Sequence, residues 1–291
     1  MQAIRAKSLS SIAKFAGALA LTALLSACGT GAINTFAISE DEELQAIASP
    51  TNLASLSDVV RRNPNDPQAY NMRGSVLGRA RHYDEAIADF NKAIQLDPNY
   101  AQAYANRALA YRETKRLDLA FNDYNRAIQI DPGYSAAYVG RGIVQRAQGR
   151  VREALGDFNK AVQLKPDNAQ AYHNRGLVYQ AQGQHKFAID EFTTAIGLSA
   201  NAAEPNLARG MSYLALNDLK SAAEDFSEAT DKDQRNLEAW IQRALAYEKM
   251  GEREKAAGCY AQALNLNQNY EPARAGFRRV GGQYGVSYSL N

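Results

Sequence analysis

Cysteine is nearly absent from this chain. Its 291 residues hold two, Cys28 and Cys259, too few for a disulfide framework or a thiolate zinc cluster. Histidine is as scarce: His82, His173 and His185 have no cysteine or carboxylate at metal-ligand spacing. Charge of one sign is missing too. Lysine and arginine number 33 against 31 acids, a net of +2, so nothing basic enough for nucleic acid stands out. The first 26 residues carry Arg5, Lys7 and Lys14 and no acid; without these three charges +2 becomes −1. The apolar stretch FAGALALTALL at 15–25 has 11 residues, too short to cross a bilayer. No phosphate-cradling glycine loop occurs, and no catalytic constellation is visible. The chain therefore reads as a non-enzyme without a cofactor or metal.

What is present begins with a leader. A positive start, the apolar core at 15–25 and Leu25-Ser26-Ala27-Cys28 resemble a bacterial lipoprotein signal. The resemblance implies removal of residues 1–27 and acylation of Cys28, several acyl chains making a durable anchor. The other reading is an ordinary signal peptide cut elsewhere, with Cys28 incidental. Gly29, where an aspartate would imply inner-membrane retention, implies the periplasmic face of the outer membrane of a Gram-negative bacterium. With Cys28 acylated, Cys259 has no disulfide partner and is expected as a small core residue. Residues 28–50 form a tether, in which Ser39 and Glu42 are placed to cap a short acidic helix at 40–48.

Beyond residue 50 the chain repeats. Six units of 34 residues run without insertion: 67–100, 101–134, 135–168, 169–202, 203–236 and 237–270. Positions 20 and 27 of every unit are alanine, position 24 is Phe or Tyr, and position 8 is Gly or Ala. Apolar and small residues recur at helical spacing in two blocks per unit. Small residues at 8, 20 and 27 let two helices approach closely, since contact distance follows the side chains between them. Gly149 and Gly183 mark the turn between blocks, and Pro98, Pro132 and Pro166 end the second helix. Repeats five and six lack that proline and are expected to pack more loosely or to change pitch. Residues 51–66 read as a capping half-repeat, 271–280 as a closing helix, and 281–291 as a flexible tail.

An arginine returns at position 7: Arg73, Arg107, Arg141, Arg175, Arg209 and Arg243. An acid follows 16 residues later in the first five units, at Asp89, Asp123, Asp157, Glu191 and Asp225; the sixth has Cys259. Antiparallel helices joined by a tight turn bring these columns together as structural ion pairs. Pairing within a repeat leaves Arg243 beside Cys259. Pairing from each acid to the next repeat leaves Arg73 alone.

These columns resemble the tetratricopeptide repeat over 204 of the 291 residues. The resemblance implies an all-α, right-handed superhelix whose first helices line a concave groove at positions near 2, 5, 9, 12 and 13. Those positions include Leu109, Arg146 and, in the middle of the groove, Val139, Ile143, His173, Leu177, Leu207, Met211 and Leu214. A mainly apolar groove implies a partner protein or peptide. The chaperone-type carboxylate clamp is not expected: Asn106 fits it, but Asn71, Ser75, Ala136 and Gly140 do not. The architecture resembles two kinds of envelope lipoprotein. One is a scaffold or adaptor that holds other envelope proteins; the other is a pilotin that assists assembly of an outer-membrane pore or pilus.

Overall fold

The structure, a computed structural model, describes residues 49–288; the leader at 1–27, the acylation candidate Cys28, and the tether with its acidic helix lie outside the described residues. Fourteen α-helices and no strand occur among those described. Helix α1 (Pro50–Arg62) precedes six pairs: α2 and α3 (Pro67–Arg79, Tyr83–Leu96), α4 and α5 (Ala101–Glu113, Leu117–Ile130), α6 and α7 (Ser135–Ala147, Val151–Leu164), α8 and α9 (Ala169–Ala181, His185–Leu198), α10 and α11 (Glu204–Ala215, Leu219–Lys232), and α12 and α13 (Leu237–Met250, Arg253–Leu266). Helix α14 (Glu271–Arg279) closes the stack. The first helix of each pair is A and the second B.

Each turn is set by position 15, which is left-handed in all six repeats. Gly149, Gly183 and Gly251 occupy it at φ 75°, 73° and 82°, and Arg81, Lys115 and Asn217 at 63°, 60° and 61°. The alanines at positions 20 and 27 are 0% exposed in every repeat, and the ring at position 24 is at most 4% exposed. The rings sit where a glycine lets them. A Cβ on Gly142 would lie 2.6 Å from the Phe158 ring, and one on Gly176 or Gly210 equally close to Phe192 or Phe226. Where position 24 is tyrosine, position 8 is instead alanine (Ala108, Ala244), and the ring leans onto the next helix. There Gly140 and Gly276 make room: a Cβ on either would fall 2.2 Å from the Tyr124 or Tyr260 ring.

Repeats five and six correct one expectation. Phe226 and Tyr260 are as buried as their counterparts, and Asp233 and Asn267 end their helices in the same extended range as Asp97 and Asp131. The change is confined to α10, which starts one residue late with Pro205 in its first turn. The segment 281–288, expected as a flexible tail, folds back instead. Tyr284 and Tyr288 meet the ring of Phe277 at 5.1 and 6.1 Å, and the Tyr288 hydroxyl accepts from the Gln283 amide. These tyrosines cover an apolar face that no further helix buries.

Successive A helices pack on one another, whereas no B–B packing of comparable extent occurs. The row of A helices is therefore the shorter, inner side of the stack. Among the described residues, no helix is long and apolar enough to cross a membrane.

Candidate functional site

The arginine column is the most regular polar feature. Arg73, Arg107, Arg141, Arg175 and Arg209 each donate through Nε and Nη2 to both carboxylate oxygens of the acid in their own repeat, at 2.6–2.8 Å. The four aspartates in these pairs are at most 8% exposed. Nη1 turns the other way, onto position 25 of the preceding unit: Ser57 at 3.4 Å, Asn91 at 2.6 Å, Asn125 at 2.7 Å, Asn159 at 2.9 Å and Thr193 at 2.9 Å. Position 4 rings lie against four of these guanidiniums, as with Tyr172 at 5.3 Å from Arg175, and Tyr213 lies against Arg209. All three guanidinium nitrogens of each arginine thus donate within the stack. In repeat six the Arg243 Nη1 donates to Thr230 at 3.0 Å. Beside it Cys259 is fully buried, and burial pushes its thiol up to about 12, so it stays protonated at neutral pH.

The inner face is built from position 9. Ser75, Leu109, Ile143, Leu177, Met211 and Leu245 follow one another along the row of A helices. Leu109 is 43% exposed and Met211 40%; Ile143, Leu177 and Leu245 are half-buried. Position 5 is different. Val139 is 1% exposed and packs with Phe158 and Ala171, so it lies in the seam between helices and not on the groove. This corrects its assignment as a groove residue. Ile241, Ala105 and Asn71 share that seam at 4–6% exposure. Leu207 and Leu214 pack against the Phe226 core, and Leu177 against the Phe192 core. Of the seven residues expected in the middle groove, Met211 is the one that is exposed, at 40%.

Polar groups on this face are mostly partnered. Asn106 donates to Asn71 at 2.9 Å and to Ser75 at 3.2 Å, and Asn71 to the Tyr100 hydroxyl at 3.1 Å. Gln180 donates to the Ala208 carbonyl and the Ser212 hydroxyl at 2.8 Å. Arg112 pairs with Glu113 at 2.7 Å, and Glu248 with Arg279 and the Tyr260 hydroxyl. Arg146 departs from the pattern: its buried Nε has no partner among the described residues. Burial pushes its guanidinium below the ordinary range, while hydrogen bonds to their aspartates hold Arg73, Arg141 and Arg209 above it. His173 stacks 5.6 Å from Phe192 with its Nδ1 buried and without a partner; burial lowers its pKa.

His82 and His185 stand at the inter-helix turns of repeats one and four, His82 3.1 Å from Glu85. Among the described residues, no group of three or more His, Cys, Asp or Glu side chains is placed to hold a metal.

Family models described as tetratricopeptide repeat match residues 53–98, 71–135, 169–201 and 237–270, and one described as TPR repeat matches 144–183. No curated protein matches the sequence significantly. Among solved structures, the chain is similar to the APC/C hetero-tetramer Cut9–Hcn1 (17% identity, TM-score 0.72), covering 83% of this chain but only 48% of that one. It is also similar to pilF of Pseudomonas aeruginosa (20% identity, TM-score 0.65, 73% of this chain and 97% of that). A third is YrrB, described as a TPR protein with an unusual peptide-binding site (25% identity, TM-score 0.52, 65% of this chain and 97% of that).

Proposed function

The chain belongs to the tetratricopeptide repeat family, and on that premise we propose that it is a lipid-anchored scaffold or adaptor of the bacterial envelope. Its fold is that of a protein–protein interaction scaffold. The observation that carries the reading is the position 9 row on the inner face, where Leu109 and Met211 are 43% and 40% exposed and Ile143, Leu177 and Leu245 are half-buried. Exposed apolar surface of this kind marks a partner site. An extended or helical segment of another envelope protein is the occupant that suits a row of evenly spaced apolar anchors. The similarity to a structure described as having an unusual peptide-binding site supports a peptide as the ligand. The lipobox at Leu25–Cys28 supports anchoring through Cys28 at the periplasmic face of the outer membrane. The same lipobox and six repeats support a second reading, a pilotin-like factor assisting assembly of an outer-membrane pore or pilus.

Three forms of the full chain, expressed with the leader and cross-linked in cells, test the proposal. The wild type is expected in the outer-membrane fraction with envelope proteins attached. Leu109→Glu with Met211→Glu should stay in that fraction, remain folded and lose those proteins. Both sites are exposed; Leu177 and Leu207 would be poor choices because each packs into a core. Cys28→Ser should leave the membrane. Unchanged capture by the double variant removes the groove reading. Membrane retention of Cys28→Ser removes the anchor. A secretin or pilus subunit among the captured proteins favours the assembly role, and a hydrolase favours the adaptor.

A further inference from the structure

We propose that Arg146 is the receptor for an acidic side chain in a segment bound along the inner face, with Ile143, Leu177 and Met211 as its apolar flank. The proposal rests on the reading of that face as a binding surface.

The case starts from what the other charges do. The five arginines of the position 7 column are each held by a carboxylate of their own repeat. Along position 12 of the inner face, Arg112 has Glu113, Gln180 has the Ala208 carbonyl and Ser212, and Glu248 has Arg279. Arg146 stands in that same row, between Arg112 and Gln180. Among the described residues it has neither a carboxylate within ion-pair distance nor a hydrogen-bond partner, and its Nε is buried. A part-desolvated guanidinium without a counter-charge costs stability and stabilises nothing visible in the chain. Local rules broken without compensation are the mark of functional positions.

The ligand chemistry follows from the fork. A guanidinium offers paired donors that match a carboxylate bidentately, which a lysine would not. His173, in the seam one repeat on, lies within electrostatic reach of Arg146. Adjacent helices stand roughly 10 Å apart, about three residues of extended chain at ~3.3 Å each. The expected segment therefore has an acidic residue near one apolar side chain and a second apolar side chain about three positions on.

The test uses the immobilised full chain and a random-peptide phage library, with wild type, Arg146→Met and Arg146→Glu. Wild type is expected to enrich peptides that combine apolar residues with Asp or Glu. Arg146→Met should keep the apolar preference, lose the acidic one and bind a wild-type-selected peptide about 10- to 100-fold more weakly. Arg146→Glu should enrich Lys or Arg instead. Arg146→Met should also melt at or above the wild-type temperature, because it removes an unpaired charge. Acidic enrichment that survives Arg146→Met overturns the assignment of Arg146, as does wild-type enrichment of apolar peptides without acid; either leaves the groove itself standing. A lowered melting temperature for Arg146→Met would mark the residue as structural and overturn the assignment too. Enrichment of no peptide at all overturns both this proposal and the groove reading.

Discussion

At the scale of single residues, the recurrent arginine ties three helices together. It packs between its own A and B helices through the acid, and it reaches back to the B helix before it through Nη1. Asp157 shows the consequence. It is 6% exposed and accepts two hydrogen bonds from Arg141. Asp157→Asn leaves Arg141 without its counter-charge in a desolvated seam and is expected to cost about 3 kcal/mol, measured by urea denaturation. Arg141→Met combined with Asp157→Leu should recover much of that loss, because removing both charges removes the desolvation cost. The two columns were legible in the sequence from spacing alone. Their register was not, since within-repeat and next-repeat pairing leave the same two columns in place. The third contact was not legible either. Ser57, Asn91, Asn125, Asn159 and Thr193 form a polar column at position 25 that looks like any solvated face until neighbouring repeats are stacked.

At the scale of the helix pair, two packing solutions occur. A phenylalanine at position 24 points at a glycine in position 8 of its own repeat. A tyrosine there tolerates alanine at position 8 and is housed by a glycine at position 6 of the next helix, as with Tyr124 and Gly140. The columns of small and aromatic residues were visible in the sequence, and with them the helix pair and its turn. The coupling between them was not, because it links a residue to a different repeat. Gly142→Ala is expected to destabilise by about 1–3 kcal/mol, since the Phe158 ring would have to move within a filled core. Gly156→Ala is its control. Gly156 lies inside α7, and a methyl added there would meet nothing within 4 Å, so the change should stabilise by up to about 1 kcal/mol through helix propensity. Thermal melts of the two variants should move in opposite directions.

At the scale of the whole stack, each repeat buries its face only against its neighbours, so the two ends need covers. Helix α1 supplies one, through Leu53 and the Ser57 contact to Arg73. At the other end α14 and the returning tyrosines supply the second. The repeat number, the helical class and the two caps could be read from the sequence, because period and composition carry them. The groove could be read only in part. The family positions treat 5 and 9 alike, yet Val139 at position 5 is buried in the seam between A helices, while Leu109 and Met211 at position 9 are exposed. That difference depends on how tightly successive A helices pack, which no single repeat encodes.

The inner face as the partner surface can be tested in living cells by a photo-crosslinking amino acid placed at three exposed positions: Leu109 and Met211 on A helices, and Phe187 on B helix α9, where it is 61% exposed. If the face built by position 9 holds the partner, Leu109 and Met211 should each give a discrete higher-mass adduct while Phe187 gives none. An adduct at Phe187 with none at the other two would place the partner on the outer side of the stack and contradict the assignment.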